Sequence, residues 1–304
     1  MMKNKINIEK IKSQKTIQEL LEFGILNIDK PSGPTSFDVS DFVRKKLIEI
    51  GVKKTGHFGT LDPKVTGVLP IALNRACRLT NFFLGEDKEY VGIMRIHEDL
   101  SLSKIREMIK EKFTGKIMQT PPVKSRVKRQ EREREVKNFK LIEKDGKDIL
   151  FRAEVQGGTY IRKLLDDLGR ELGVGAHMLE LRRVRAGIFE EDDEKYSSVN
   201  LYDFEKAVEN FKKGNEEELR KIIIPAEIVS EVYVPISIEE KYVADLFNGK
   251  PLLQESVKES DKKNLEKSQV ISLFRGEKFI GMYSVLDEGD VFAKAKFVLQ
   301  EISK

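Results

Sequence analysis

The sequence predicts an α/β protein of the α+β type with two domains, a larger one of mixed helices and strands and a small β-rich one. The chain has 304 residues, of which 39% are hydrophobic and 35% charged, enough to bury a core and long for one average domain. Segments with helical spacing alternate with strand-like segments as far as Pro225–Pro235, around which the pattern changes. From Val270 onward three short β-type segments follow one another. We therefore expect one domain over residues 24–228 and another over residues 229–304.

The first elements should be a strand, a helix and a loop. Gly24–Pro31 predicts a brief strand that proline ends, and Thr35–Asp38 resembles a capping box that starts a helix. The apolar residues that follow recur at helical spacing as far as Gly51, which closes the helix. Between Gly56 and Gly67 a glycine- and proline-bearing loop leads into the apolar run Val68–Leu73, which predicts a buried strand.

The later elements are predicted by the same patterns. In the first domain they are a strand at Tyr90–Ile96, a helix at Ser103–Phe113, a polar loop with a basic stretch at Lys124–Arg134, hairpin strands at Val136–Ile142 and Ile149–Val155, a helix at Thr159–Leu172 and largely helical structure over residues 190–220. In the second domain they are a solvated loop at Glu255–Ser268 and strands at Val270–Phe274, Lys278–Val285 and Val291–Leu299.

Composition excludes several classes of protein. The only cysteine is Cys77, so a disulfide within the chain is impossible, and its surroundings predict a small core residue rather than a nucleophile. No run of eighteen apolar residues and no signal peptide is found, and we expect a cytoplasmic protein. The net charge of +4 does not by itself require a nucleic-acid partner.

Asp62 lies in the loop between a threonine-leucine pair and a proline, where an isolated aspartate is usually a turn residue. The residues on both sides of Asp62, however, match a known catalytic motif over a dozen positions, which favours a catalytic role. Gly56-His57-Phe58-Gly59-Thr60-Leu61-Asp62-Pro63, with Thr66-Gly67-Val68-Leu69-Pro70, resembles the catalytic motif of the TruB-type pseudouridine synthases. In that family the aspartate is the essential carboxylate.

Further segments resemble the same family, in the same order, over residues 24–190. They are Asp29–Ser36, Lys88-Glu89-Tyr90 with the active-site tyrosine, and the arginine-bearing helix at Gly158–Arg162 with Gly173–Met178 and Leu181–Arg183. Gln119–Arg129 and Leu181–Arg185 look like the archaeal and eukaryotic branch, the dyskerin family, which is the catalytic subunit of H/ACA guide-RNA ribonucleoproteins. The chain has no long lysine-rich tail, which favours the archaeal kind.

The resemblance implies the conversion of uridine to pseudouridine, which breaks a carbon–nitrogen bond and forms a carbon–carbon bond to the same base without cofactor or metal. Asp62 would either trap or stabilise the electron-poor sugar or act as a base toward it, and the sequence leaves both routes open. A carboxylate enclosed with a base needs an adjacent cation to stay ionised. The resemblance assigns this cation to Arg162; the alternative is a helical pair of Arg162 with Asp166.

Other site residues also follow from the resemblance. Tyr90 corresponds to the aromatic residue that stacks on the target base and takes part in proton removal from the base carbon, although a lone tyrosine at a strand start is usually core. His57 corresponds to the residue that holds the nucleotide displaced by base flipping. His97 and His177 lack a spacing typical of metal ligands, and we expect both to be structural.

An RNA substrate gives the basic stretch Lys124–Arg134 a function. A run of charges is usually a solvated face, but beside a catalytic motif for RNA it predicts a strip that contacts phosphates. The residues expected to bind RNA are His57, Lys30, Lys124, Arg126, Lys128, Arg129, Arg182 and Arg183.

The resemblance also predicts architecture and partners. The first domain should contain a mixed, mostly antiparallel sheet, and the second should be a PUA domain, a small β-barrel that binds RNA, with residues 1–23 packed on it. Two features depart from the family: Phe58 stands where a small residue is expected, and the charged stretch Glu255–Ser268 replaces an expected glycine. The expected partners are guide RNA, rRNA, tRNA, small Nop-type and Gar-type proteins and an L7Ae-like kink-turn binder.

Three hypotheses follow. The first is a guide-RNA-dependent rRNA pseudouridine synthase that also acts on the T-arm uridine of tRNA. The second is a stand-alone tRNA synthase, which would modify a minimal T-arm stem-loop without guide or partner. The third is a non-catalytic RNA-binding scaffold, for which Asp62→Ala would leave RNA modification unchanged in the assembled particle.

Overall fold

The computed structural model describes residues 6–122, 128–263 and 265–300. The chain divides into two compact units, one over residues 25–223 and one that joins residues up to 24 with those from 224 onward. The predicted fold class is confirmed, since helices and a mixed sheet form the larger unit and a small sheet dominates the other. RNA binding by the smaller unit stays a prediction.

Strands and helices of the described residues are numbered along the chain. The strands are β1 (Gly24–Lys30), β2 (Thr55–His57), β3 (Thr66–Leu73), β4 (Lys88–Ile96), β5 (Gly115–Gln119), β6 (Arg132–Asp145), β7 (Asp148–Val155), β8 (Ala176–Ala186), β9 (Phe189–Glu190), β10 (Val199–Asn200), β11 (Ile223–Pro225), β12 (Pro235–Ser237), β13 (Leu252–Leu253), β14 (Val270–Arg275), β15 (Lys278–Glu288) and β16 (Val291–Val298). The helices are α1 (Ile8–Gln14), α2 (Ile17–Glu22), α3 (Ser36–Leu47), α4 (Thr80–Leu84), α5 (Leu102–Lys112), α6 (Ile161–Glu171), α7 (Leu201–Lys212), α8 (Glu217–Ile222), α9 (Val229–Val232), α10 (Glu240–Phe247) and α11 (Glu259–Lys262).

The larger unit is built on a sheet with the strand order β10-β1-β3-β8-β4-β7-β6-β5. The pairs β1–β10 and β3–β8 are parallel, whereas β1–β3, β4–β8, β4–β7, β6–β7 and β5–β6 are antiparallel. The sheet is therefore mixed and mostly antiparallel, as predicted. The loop with Asp62 joins β2 to β3, two strands that lie next to each other, so the loop is anchored at both ends.

Helix α3 begins where its sequence predicts. The Thr35 side chain accepts a hydrogen bond from the backbone of Asp38, and the Asp38 carboxylate accepts one from the backbone of Thr35, so the capping box is complete. Helix α6 buries its predicted apolar stripe, including Leu164, Leu165 and Leu168, against the rest of the unit. Its first turn carries Arg162.

The assignment of Leu181–Arg183 to an arginine-bearing helix is wrong. These residues lie in the long strand β8, paired with β4. Two arginines in succession on a strand place one guanidinium on each face, which hides the alternation of buried and exposed positions that would otherwise indicate a strand. Strand β5 was also missed, in a segment expected to be a polar loop.

The smaller unit contains a sheet in the order β12-β14-β15-β16-β13 around an apolar core. The N-terminal segment belongs to the same unit: the Phe23 and Phe279 rings stack with centroids 5.4 Å apart, and Lys15 forms an ion pair of 2.5 Å with buried Glu227. The expected solvated loop Glu255–Ser268 includes the short helix α11.

In neither unit does a helix of the described residues have the length and apolarity needed to cross a membrane.

Candidate active site

Asp62 and Arg162 form an ion pair. The Arg162 guanidinium lies 2.8 Å from Oδ2 of Asp62, which joins the loop after β2 to the first turn of α6. The alternative helical partner, Asp166, pairs instead with Arg170 at 3.0 Å. The side chains of Asp62 and Arg162 are 46% and 56% exposed, so solvent reaches the pair and a ligand could cover it.

The loop that carries Asp62 is held from the side of α3. Leu61 donates its backbone N–H to Ser36 Oγ at 2.7 Å, and that hydroxyl donates to the carbonyl of Leu61 at 3.0 Å. Gly33 donates its backbone N–H to the carbonyl of Pro63 at 2.9 Å. The backbone on either side of the carboxylate is therefore fixed by the first residue of α3 and by Gly33, which precedes that helix.

Lys30 has a different role from the one predicted. Its side chain is fully buried, and Nζ donates to the carbonyls of Pro31, Pro63 and Val65 at 2.9, 3.0 and 2.8 Å. Burial lowers the pKa of Lys30, and the nearby Asp62 carboxylate partly opposes that shift. The expectation that Lys30 contacts RNA is wrong, because its ammonium group is enclosed beneath the loop and fastens the backbone around Asp62.

Arg183 is likewise buried, at 1% exposure, so its predicted place in an RNA-binding strip is wrong. Its Nε donates to the carbonyl of Val68 at 2.8 Å, and one terminal nitrogen donates to the carbonyl of Gly59 at 3.0 Å. The guanidinium thus connects β8 to the loop and to β3. Alternation along β8 directs Arg183 into the unit.

Gly59 is required where the loop passes over this guanidinium. Its φ of +122° is a backbone conformation that favours glycine, and a Cβ there would lie 3.2 Å from a terminal nitrogen of Arg183. Phe58 fills the adjacent space, stacked on Phe83 with ring centroids 4.6 Å apart. The departure from a small residue is thus accommodated by aromatic packing.

Tyr90 lies directly opposite Arg183 in the β4–β8 ladder and is 8% exposed. His57, at the end of β2, is partly buried, and its Nδ1 has no hydrogen-bond partner among the described residues. Burial, and then the charge of Arg183, lower the pKa of His57, which favours the neutral imidazole. Arg183 therefore lies opposite Tyr90, is close enough to His57 to affect its pKa, and is hydrogen-bonded to the loop that carries Asp62.

The expected basic strip is only partly described. Lys128 and Arg129 are exposed, whereas Lys124 and Arg126 lie outside the described residues. Arg182 donates to both carboxylate oxygens of Asp29 at 3.0 Å each, and also to Glu191 at 2.6 Å. Two carboxylates thus compete with any phosphate for Arg182, so Lys128 and Arg129 are the stronger candidates for phosphate contacts.

Lys88 is a site residue that the sequence did not single out, although it precedes Tyr90 by two positions in the Lys88-Glu89-Tyr90 motif. It is 4% exposed, and its Nζ donates to the carbonyls of Phe83, Leu84 and Glu86 at 3.2, 3.2 and 2.5 Å. Burial, and then the charge of Arg183, lower the pKa of Lys88 to about 8. Lys88 is thus a third enclosed cation near the loop, after Lys30 and Arg183.

Replacing Lys88 by methionine should weaken the rise of stability with pH. The pKa of Lys88 is about 8 in the folded chain against an ordinary value of 10.5, so between these pH values the unfolded chain binds more protons and wild-type stability rises. The rise attributable to Lys88 is about 3 kcal/mol over this window, at about 1.4 kcal/mol per pKa unit. Denaturant titrations of the wild type and Lys88→Met at several pH values measure it, with exposed Lys104→Met as the control. Parallel curves for wild type and Lys88→Met would contradict it.

The remaining cysteine and histidines have no catalytic geometry. Burial raises the pKa of Cys77 to about 11, so its thiol stays protonated at neutral pH and is a poor nucleophile. His97 Nε2, just after β4, and His177 Nδ1, in β8, lie 2.9 Å apart in a hydrogen bond that the sequence did not predict. Within the described ranges, no three histidine, cysteine or acidic side chains are grouped so as to hold a metal ion.

Comparison with known proteins gives consistent matches. The family model described as the TruB family pseudouridylate synthase N-terminal domain matches residues 44–161, and the model for the tRNA pseudouridylate synthase B C-terminal domain matches residues 162–230. The probable tRNA pseudouridine synthase B of Nanoarchaeum equitans is 40% identical over 95% of this chain and 81% of the relative. That of Thermococcus kodakarensis is 39% identical over 96% of this chain and 85% of the relative.

Solved structures agree over both units. A chain from a Cbf5-Nop10-Gar1 complex has 35% identity and a TM-score of 0.85, covering 94% of this chain and 88% of that chain. A chain from an H/ACA RNP bound to a substrate RNA containing 2′-deoxyuridine has 33% identity and a TM-score of 0.83, covering 95% of this chain and 89% of that chain.

Proposed function

Because the chain belongs to the TruB family and is an RNA pseudouridine synthase, we propose that it acts as the catalytic subunit of a guide-RNA particle, with Asp62 as the essential carboxylate. The observation that carries the catalytic assignment is the 2.8 Å pair of Asp62 and Arg162 on a loop held by α3 and β8. The structural neighbours from H/ACA assemblies support the particle.

Asp62 works on the ribose of the target uridine. As a nucleophile it attacks C1′ and traps the sugar while the base turns over; as a base it removes a proton from the sugar. Either route needs a charged carboxylate. Arg162 supplies the positive charge that offsets the loss of solvation when the flipped base covers the exposed pair.

Tyr90 and His57 complete the pocket in this proposal. Tyr90 stacks on the flipped base and takes part in removal of the proton at C5. His57, uncharged beside Arg183, holds the nucleotide displaced from the stack. His57 ends β2, the strand that leads into the Asp62 loop, and Tyr90 lies opposite Arg183 in the β4–β8 ladder.

The proposed RNA contacts rest on exposed basic residues, and the proposed partners rest on the similar solved structures. Lys128 and Arg129, both exposed, contact phosphates of the guide or substrate RNA together with Lys124 and Arg126. Similar structures come from complexes that contain Nop10 and Gar1, and we propose small Nop-type and Gar-type partners for this chain, with an L7Ae-like protein on the guide RNA. Residues 229–304 act as the PUA domain that holds the guide. Location in the cytoplasm of an archaeal cell stays a prediction.

A second candidate is a stand-alone tRNA synthase, which the names of the curated relatives favour. One assay separates the two. The purified chain is mixed with an rRNA fragment or a T-arm stem-loop, each with and without guide RNA and the small partner proteins, and pseudouridine is quantified by mass spectrometry.

We expect the rRNA target to be modified only when a guide complementary to it and the partners are present. A guide with a scrambled targeting sequence is the matched control and should give no product. Full activity on the T-arm stem-loop by the chain alone, with no guide-dependent product on rRNA, would establish the stand-alone enzyme instead.

A further inference from the structure

Arg183 is a buried cation for which the proposed chemistry has no use so far. It is 1% exposed, and no carboxylate of the described residues forms an ion pair with it. Placing a charge inside a protein without an opposite charge is costly. A neutral side chain with N–H groups could donate equally well to the two carbonyls that Arg183 contacts. The positive charge of Arg183 therefore needs a separate explanation.

The geometry around Arg183 supplies one. Two of its nitrogens are committed to the carbonyls of Val68 and Gly59, at 2.8 and 3.0 Å, which fixes the plane of the guanidinium. Tyr90 is the direct cross-strand neighbour of Arg183, so both side chains point to the same face of the sheet. Burial lowers the pKa of Arg183, and the nearby Tyr90 opposes that shift, first through charge interaction and then through side-chain hydrogen bonding.

Chemistry fixes which of these two groups donates to the other. A guanidinium has only donors, so the phenolic oxygen of Tyr90 accepts and its own hydrogen points away from Arg183. Negative charge on this oxygen would be stabilised by the adjacent cation in a site from which water is largely excluded. Lys88, also buried and within electrostatic reach of Arg183, adds positive charge to the same region.

We propose that Arg183 is a positioning residue that stabilises negative charge on the Tyr90 oxygen and so equips Tyr90 to accept the C5 proton of the target base. The inference rests on the proposed function of Tyr90 in the pocket. This role explains why the chain keeps a buried positive charge at Arg183, although burying that charge destabilises the fold.

The proton balance is complete without a further reactant. Tyr90 first releases its phenolic proton to water. After the bond between C1′ and C5 has formed, the C5 proton moves to the phenolate oxygen, and the electron pair of the C–H bond forms the C5–C6 double bond. N1, freed from the sugar, takes a proton from water, so the product is an isomer of the substrate.

A double-mutant cycle tests the inference, with single-turnover rates of pseudouridine formation in the assembled particle. Arg183→Met should slow the wild type by about 10²-fold, the scale of general acid–base catalysis. In a Tyr90→Phe background the same change should cause little further loss, because the oxygen on which Arg183 acts is gone. Equal slowing in both backgrounds would show a structural role and overturn the inference. Arg152→Met, on the neighbouring strand β7, is the matched control.

A second variant covers the case in which Arg183→Met does not fold. Arg183→Lys keeps the charge and should retain more activity than Arg183→Met. With RNA deuterated at C5, the rate of Arg183→Lys should fall more than that of the wild type, because proton removal from C5 has become slower. An unchanged effect of deuterium would reject the inference. A wild-type particle that forms no pseudouridine would instead reject the proposed function.

Discussion

Replacing Asp62 by asparagine should lower the single-turnover rate of pseudouridine formation by about 10⁴-fold or more, the scale seen when a principal catalytic group is removed. Asparagine keeps the size of the side chain and can still accept a hydrogen bond from Arg162. It lacks the negative charge, however, and neither proposed route at the ribose can proceed without that charge. Binding of the RNA should change little, because phosphate contacts elsewhere supply most of the affinity.

The measurement is a single-turnover assay with the assembled particle, alongside a binding titration of the same RNA. Asp99→Asn is the matched control, because Asp99 is a surface aspartate paired with Lys144 at 2.6 Å and belongs to no part of the proposed site. If Asp62→Asn and Asp62→Ala both left modification unchanged, the chain would be a scaffold and another protein would carry the activity.

Replacing Arg162 by methionine should lower the same rate by about 10²–10³-fold, as expected for loss of one preorganised charged donor. In the free chain the pair with Asp62 is open to solvent, so its contribution to folding is small. The contribution becomes large when the base covers the pair and water leaves. The variant should therefore unfold at nearly the wild-type temperature while losing activity.

Two comparisons sharpen this prediction. Arg162→Lys keeps the charge but loses the planar donor geometry, so it should recover part of the rate. Arg170→Met removes an arginine from the same helix that pairs with Asp166, and should have nearly wild-type activity. Equal losses for Arg162→Met and Arg170→Met would mean that helix stability, and not the charge beside Asp62, governs the rate.

Two helices that position the site could be predicted from the sequence, because each has strong local signals. The capping box at Thr35 and the apolar stripe of α6 each combine a start signal with helical spacing, and both helices form. The ion pair of Asp62 with Arg162 was expected because a long motif surrounds each residue. Spacing alone would have left Asp166 as an equal partner.

The buried cations could not be predicted from the sequence. Lysine and arginine usually lie at the surface, so Lys30 and Arg183 were assigned to an RNA-binding strip. Their surroundings come from residues distant along the chain: Pro63 and Val65 accept from Lys30, whereas Gly59 and Val68 accept from Arg183. Only the folded chain shows that these side chains fasten the loop instead of facing solvent.

The most direct test of the central claim is a crystal structure of the Asp62→Asn particle with unreacted substrate RNA. We expect an everted uridine whose C1′, or the proton at C2′, lies within about 3.5 Å of the side chain at position 62, a near-attack distance. The ring should be stacked on Tyr90, with Arg162 at its edge. A target uridine that remains stacked in the RNA, or one bound in a pocket to which position 62 contributes no atom, would contradict it.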